Sequence, residues 1–232
     1  MKYTQTDPDI PVVFEDEHLL LIDKPANVLS QADHTGDPDV LTLCKQYLAQ
    51  QRSSSRTPYV GLIHRLDRPV GGLMLLAKTR RAAQALSRQM RDRTVQKTYW
   101  AVTEGDPPPN GVLTHHLLKD RDRNVVEVVS SRQRKAKKAI LSFATLAREK
   151  ELCLLSVHLQ TGRPHQIRVQ LAHEGYPVWG DYKYGSGQPE GRQIALRSVE
   201  LALNHPTTGK QLQFERPVPS REPWSLFSIA HS

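Results

Sequence analysis

The apolar residues of this chain fall into short continuous runs separated by polar, proline-containing or glycine-containing stretches. Residues 19–22, 73–77 and 152–155 are such runs, and their length suits buried strands or short core segments. After residues 11–14 and an acidic turn at 15–17, residues 18–23 predict a strand, and Lys24-Pro25 stops it, because proline donates no hydrogen bond and restricts the residue before it. The pair Gly71-Gly72 predicts a sharp turn ahead of a strand over 73–77. Helical spacing sets in over Val40–Gln50, where Leu41, Cys44 and Leu48 share a face. It returns after the capping residue Thr79, with Ala82, Leu86 and Met90 as the apolar stripe. A third helix is predicted over 164–173, with Pro164 at the first helical position and Gly175 ending it.

Strands predominate from residue 97 onward: 97–103, 112–118, 125–129, 139–146, 152–159, 194–203 and 211–216, with loops at 106–111 and 205–209. Short loops and few helices predict an α+β fold around a mixed, largely antiparallel sheet with flanking helices. The regular strand–helix alternation of a doubly wound parallel sheet is missing. Residues 1–10 read as a loose leader, 51–57 as a flexible serine-rich loop, and 11–232 as one domain.

Charge changes this picture more than composition does. Lysine and arginine number 32 against 24 acids, a formal charge of +8 with a pI near 9.6, which favours a polyanionic partner or an acidic membrane surface. No apolar run approaches the length of a membrane-spanning helix, and the polar start carries no secretory core, so a cytoplasmic protein without membrane attachment is expected. Two distant cysteines, Cys44 and Cys153, predict neither a disulfide framework nor a zinc site. Phosphate-loop, dinucleotide, zinc-protease and serine-elbow motifs are absent. Ten histidines invite a metal reading, but His115 and His116 point to opposite faces of a strand, and His165 and His173 stand two turns apart on a helix. No metal is expected.

What remains is chemistry by Asp, Tyr, His and Arg. Asp67 stands between Arg65 and Arg68 in the segment His64-Arg65-Leu66-Asp67-Arg68-Pro69, where flanking cations favour a carboxylate. That residue is either a nucleophile or a structural aspartate neutralised by its neighbours. Arg80, Arg81, Arg88, Arg91 and Arg93 stud or follow the second helix, and Arg132, Arg134, Lys135, Lys137 and Lys138 crowd one short run; both are RNA-phosphate density or solvated surface. Tyr99 and Trp100 alternate on a strand, so one faces a site while the other enters the core. On the third helix His165 and Arg168 share a face, and Arg168 either holds Asp67 or lies at the surface.

Taken in order, these segments resemble the RluA-type family of RNA pseudouridine synthases. His64-Arg65-Leu66-Asp67 is similar to its catalytic motif, Lys97-Thr98-Tyr99 to its tyrosine motif, and Thr161-Gly162-Arg163-Pro164-His165-Gln166-Ile167-Arg168 to its third motif, trailed by Gly180-Asp181 and Tyr184-Gly185. Asp23-Lys24-Pro25 and Ile194-Ala195-Leu196 fit its opening and closing segments. The resemblance implies the pseudouridine synthase fold with a central RNA-binding cleft, an isomerase that flips a uridine of ribosomal or transfer RNA, and no cofactor. It assigns Asp67 as nucleophile, Arg168 as its ion-pair partner and Tyr99 as the aromatic that meets the base. Leu196 would line the pocket and Arg65 would fill the gap left by the extruded uridine, with His64, Arg163 and His165 as further substrate contacts. Structured RNA is the expected partner; no protein partner is called for, and a monomer is expected.

Two positions depart from the pattern: Val70-Gly71-Gly72 stands where many relatives carry Thr-Ser-Gly, and Val169-Gln170 where a histidine is common. An N-terminal S4-like module, frequent in the family, is not expected, so recognition would fall to the catalytic domain, including residues 119–138. Competing readings are a non-catalytic RNA-binding protein of the same fold and a glycosidic hydrolase. The hydrolase normally needs a second carboxylate, and none stands near Asp67 in sequence.

Overall fold

The computed structural model describes residues 10–51, 56–185 and 194–228; the expected leader, apart from its last residue, and most of the serine-rich loop lie outside them. The described chain forms two compact units, one of residues up to Val95 together with Ala202–Phe214, the other of Gln96–Leu201 with the segment from Glu215 onward.

In the first unit β1 (Val12–Glu15), β2 (Leu19–Lys24) and β4 (Gly71–Ala77) pair antiparallel in that order, and the short β3 (Gly61–Leu62) pairs with the far end of β4. Residues 19–22 and 73–77 have no exposed surface, which explains why they read as unbroken apolar runs: strands covered on both faces have no polar side to alternate with. Helix α1 (Val40–Gln50) starts at Asp39, whose carboxylate accepts from the Thr42 N–H at 3.1 Å. It buries Val40, Leu43, Cys44 and Leu48, so the buried face is broader than the predicted Leu41–Cys44–Leu48 stripe and Leu41 sits at its margin. Helix α2 (Arg80–Arg91) is capped by Thr79 and buries Ala82 and Leu86 as expected, while Met90, the third residue of the predicted stripe, is half-buried. Gly71 and Gly72 form the start of β4, Gly72 opposite Lys24, and the turn falls earlier, where the Val70 N–H reaches the Asp67 carbonyl at 3.0 Å.

The second unit is an antiparallel array in which β5 (Gln96–Glu104) pairs with β9 (Leu152–Leu159), β9 with β8 (Lys137–Glu149), β8 with β6 (Asn110–Asp120), and β6 with β7 (Val125–Val129). Val102, Leu154, Ala195, Trp224 and Phe227 form one core there, and Leu117, Val126, Ala139 and Val169 a second. Helix α3 (Gln166–His173) belongs to the second core and is buried at every position from Gln166 to Leu171. It starts two residues later than predicted: His165 adopts a left-handed backbone (φ 52°), so Pro164 stands in the turn before the helix. Gly175 (φ 86°) follows the last turn, as expected. The chain returns along β10 (Leu196–Asn204) and β11 (Gln211–Glu215).

Candidate active site

In the first unit the segment around Asp67 is held by residues 24–30 at the backbone of Leu66 and of Arg68. The chain leaves the β4 ladder after Leu62, and the His64 imidazole takes over as acceptor: its Nε2 receives the Leu75 N–H at 3.0 Å. A neutral His64 therefore carries its proton on Nδ1. Leu66 is clasped by Ser30, whose Oγ donates to the Leu66 carbonyl at 2.7 Å and accepts from its N–H at 3.2 Å. The Arg68 carbonyl accepts from Asn27 N–H (2.8 Å) and from the Lys24 ammonium (3.2 Å). Its side chain bonds the Asn27 carbonyl and the Asp37 carboxylate. Asp67 thus lies, half-buried, between two residues whose backbones are fixed, while Arg65 beside it is exposed.

Lys24 is the group that sequence reasoning passed over. It has no exposed surface, and its Nζ also donates to the carbonyls of Pro25 (2.9 Å) and Val28 (2.7 Å), so three acceptors match the three N–H bonds of an ammonium. Burial lowers its pKa to about 7; the Asp67 carboxylate pulls in the opposite direction and the Arg68 guanidinium adds to the lowering. The sign of its position at Asp23-Lys24-Pro25 was legible; the burial was not. Ser30→Ala leaves the Leu66 N–H and carbonyl without this partner in a buried site. It is expected to cost about 1–3 kcal/mol in urea denaturation and to loosen the Asp67 loop.

In the second unit Arg168 is 3% exposed and forks onto Asp181: Nε to Oδ2 and Nη2 to Oδ1, both at 2.7 Å. The surface alternative for Arg168 is thereby excluded. Asp181 also accepts from the N–H groups of Lys183 and Tyr184, and so shapes the loop that follows it. The Tyr184 ring lies under the Arg168 guanidinium (5.2 Å to the centroid), and its hydroxyl meets His165 Nδ1 at 2.6 Å and receives the Val126 N–H at 2.8 Å. His165 is therefore half-buried against Tyr184, and it does not share an open face with Arg168. Asp181 and Tyr184 were quoted in sequence only as trailing residues, with no role attached.

The turn before α3 is laced to β8. Gln166 accepts from Thr161 Oγ1 and Arg163 N–H and donates to the Ile140 carbonyl, while Arg163 Nε donates to the Lys138 carbonyl at 3.0 Å. The third motif is thus anchored where the basic run ends, and Arg132, Arg134, Lys135, Lys137 and Lys138 are all exposed there. Trp100 packs against the first core, while Tyr99, on the opposite face of β5, is 5% exposed; Leu196, 4% exposed, opens β10.

Three possible ligand side chains do converge among the described residues: His115, His173 and Glu174. Gln170 decides what they are. Its amide nitrogen faces the carbonyls of Leu113 and Ala139, which fixes the amide's orientation, and the same nitrogen donates to His115 Nδ1 at 3.0 Å. The proton of a neutral His115 then sits on Nε2 and is directed at Glu174 Oε1, 3.0 Å away, where a metal would have to bind. The cluster is a hydrogen-bonded chain tying β6 to the end of α3.

Comparison with known proteins gives a single direction. Residues 18–173 match the family described as RNA pseudouridylate synthase. The ribosomal large subunit pseudouridine synthase D of Pseudomonas aeruginosa is 32% identical over 235 residues, covering 95% of this chain and 72% of that protein. Its namesake in Nitrosomonas europaea is 35% identical, covering 90% of this chain and 62% of that protein. An uncharacterized RNA pseudouridine synthase of Bacillus subtilis, YhcT, is 32% identical, over 91% and 70%. The chain therefore spans about two thirds of the length of these relatives. Among solved structures, human RNA pseudouridylate synthase domain containing 1 (TM-score 0.76, 19% identity, 94% of this chain and 86% of that one) and domain containing 4 (0.75, 23%, 90% and 88%) share its fold.

Proposed function

Because the chain belongs to the RNA pseudouridylate synthase family, the isomerases that turn uridine in RNA into pseudouridine, we propose that it acts on uridines of structured ribosomal or transfer RNA with Asp67 as nucleophile. The observation that carries this reading is the pinned loop. A carboxylate whose two neighbours are fixed by Ser30, Asn27 and Lys24 presents its oxygens in one place, and positioning is where much of an enzyme's acceleration arises.

In this reading the target uridine leaves its stack and enters the site, at a cost of a few kcal/mol that phosphate contacts and stacking offset. Asp67 engages it, the N1–C1′ bond breaks, the uracil turns, C5 bonds to C1′ and gives up its proton, and N1 takes one up. Tyr99 meets the base, Leu196 lines the pocket, and Arg168 is the cation paired with the nucleophile. Its fork onto Asp181 sets the plane of the guanidinium. Arg65, exposed beside Asp67, takes the space the uridine vacates, and His64, Arg163 and His165 hold the segments that carry these groups. The exposed run from Arg132 to Lys138 supplies phosphate contacts. The reaction rearranges one molecule and calls for neither redox cofactor nor metal. The protein works as a monomeric catalytic domain in the cytoplasm. No helix among the described residues is long and apolar enough to cross a membrane.

RNA labelled with tritium at uridine C5 tests the reading. Tritium release with intact strands is expected, and the products should contain pseudouridine. Free uracil with abasic sites would replace isomerisation by hydrolysis, and binding without release would reduce the protein to an RNA-binding module.

A further inference from the structure

Helix α2 follows β4, the strand that leaves the Asp67 loop, and its sequence RRAAQALSRQMR contains four arginines and no acid. At 3.6 residues per turn Arg80, Arg81, Arg88 and Arg91 fall within a sector of about 100°, with Gln84 among them, along about 16 Å of helix. All four are exposed, and the buried Ala82 and Leu86 lie on the opposite side.

Helix stability does not account for this arrangement. Arg80 and Arg81 stand in the first turn, at the positive end of the helix dipole, where a cation is unfavourable and where no acid offsets them. Among the described residues the ion pair on this helix is Arg91 with Asp92, 3.9 Å apart with both side chains largely exposed, a geometry of little energetic consequence. Beside the stripe Tyr59 is 39% exposed, and the Arg80 guanidinium lies over its ring at 5.9 Å from the centroid. An arginine track ending in an exposed aromatic ring has the two components of a single-strand nucleic-acid platform: cations for the backbone and a π-face for a base.

We propose that α2 and Tyr59 form an RNA track in which the arginine stripe follows phosphates of the substrate RNA and Tyr59, braced by Arg80, stacks on an unpaired base at its end. The proposal rests on the reading that this protein acts on RNA, and it places affinity, rather than chemistry, on this helix.

The test uses the full chain and two variants, the triple substitution Arg81→Gln, Arg88→Gln, Arg91→Gln, and Tyr59→Ala, each checked for unchanged thermal unfolding. With C5-tritiated total RNA from cells lacking the gene, the triple variant is expected to keep kcat within about twofold while KM rises about tenfold or more. Its slope of log affinity against log salt should fall by about 2 to 3, one per lost phosphate contact. Tyr59→Ala should weaken binding of a hairpin with a single-stranded overhang by about fivefold or more, and leave a blunt hairpin unaffected. Normal wild-type turnover with KM and salt slope unchanged in the triple variant overturns the track and makes the stripe a solvated surface. Equal losses on blunt and overhanging hairpins for Tyr59→Ala overturn the stacking role. If the wild-type protein releases no tritium while the triple variant still loses affinity and slope, the track stands and the isomerase reading fails.

Discussion

Asp67→Asn is expected to abolish pseudouridine formation, lowering tritium release from C5-labelled RNA by at least about 10⁴-fold, the scale on which loss of a nucleophile is felt. The substitution keeps the shape of the side chain, and the hydrogen bonds that hold the loop run through Ser30, Asn27, Lys24 and the backbone of residues 66–70. RNA affinity should therefore stay near the wild-type value, and the loss of stability, which comes from the weakened attraction between position 67 and Lys24, should be far smaller than the loss of turnover. That combination separates a nucleophile from a structural aspartate: the structural role predicts lost stability with activity falling only in proportion. Retention of wild-type turnover in the asparagine variant would falsify the mechanism. A secondary effect follows from Lys24, which the Asp67 carboxylate helps to keep protonated; without that charge its pKa moves further down.

The second large effect is expected at Arg168 and Asp181. Both side chains are almost fully buried, and their fork satisfies two donors of one and both oxygens of the other. Asp181→Ala takes both acceptors of the fork away from a buried guanidinium and removes the acceptor for the Lys183 and Tyr184 N–H groups. A loss of about 3–5 kcal/mol in urea denaturation is expected. Arg168→Met alone should cost a similar amount by stranding the carboxylate. The double variant Arg168→Met, Asp181→Leu removes both charges and should recover much of that stability, because the desolvation penalty disappears with the ions. Turnover should not recover with it. If the refolded double variant isomerised uridine at the wild-type rate, the pair would be only a fastener for α3 and the loop after Asp181.

Much of the architecture could be read from local pattern. In the first unit β2 and β4 were announced by apolar runs, whereas the two-residue β3 was not. The bounds of α1 and the Thr79 cap of α2 were announced by residues whose conformational preferences act within a turn. The antiparallel array from β5 to β9 followed from strands separated by short turns. Errors occurred where a distant contact outweighed local preference. Pro164 is well suited to open a helix, yet Gln166, bonded to Thr161, Arg163 and Ile140, holds the preceding residues in a turn and delays α3. Gly71-Gly72 invited a turn, but Gly72 pairs with Lys24 and the next residue, Leu73, with Asp23, so β4 begins at the glycines themselves. Arg168 was singled out by its motif, but local pattern left a surface position equally open, and its burial against Asp181 closes that alternative.

Taken alone, the sequence determined the α+β class, the order of the elements, the cationic character of the surface and the identity of the aspartate flanked by arginines. These depend on side-chain type and on spacing over a few residues, which a linear chain displays directly. The tertiary structure decided which polar groups are buried and what answers them: Lys24 beneath the Asp67 loop, Ser30 on Leu66, Asp181 on Arg168, Gln170 fixing the proton of His115. A buried charge or amide is tolerable only when specific partners surround it. Those partners come from segments separated in the chain by 44 residues for Lys24 and Arg68, and by 36 for Ser30 and Leu66, a distance across which local sequence pattern carries no information.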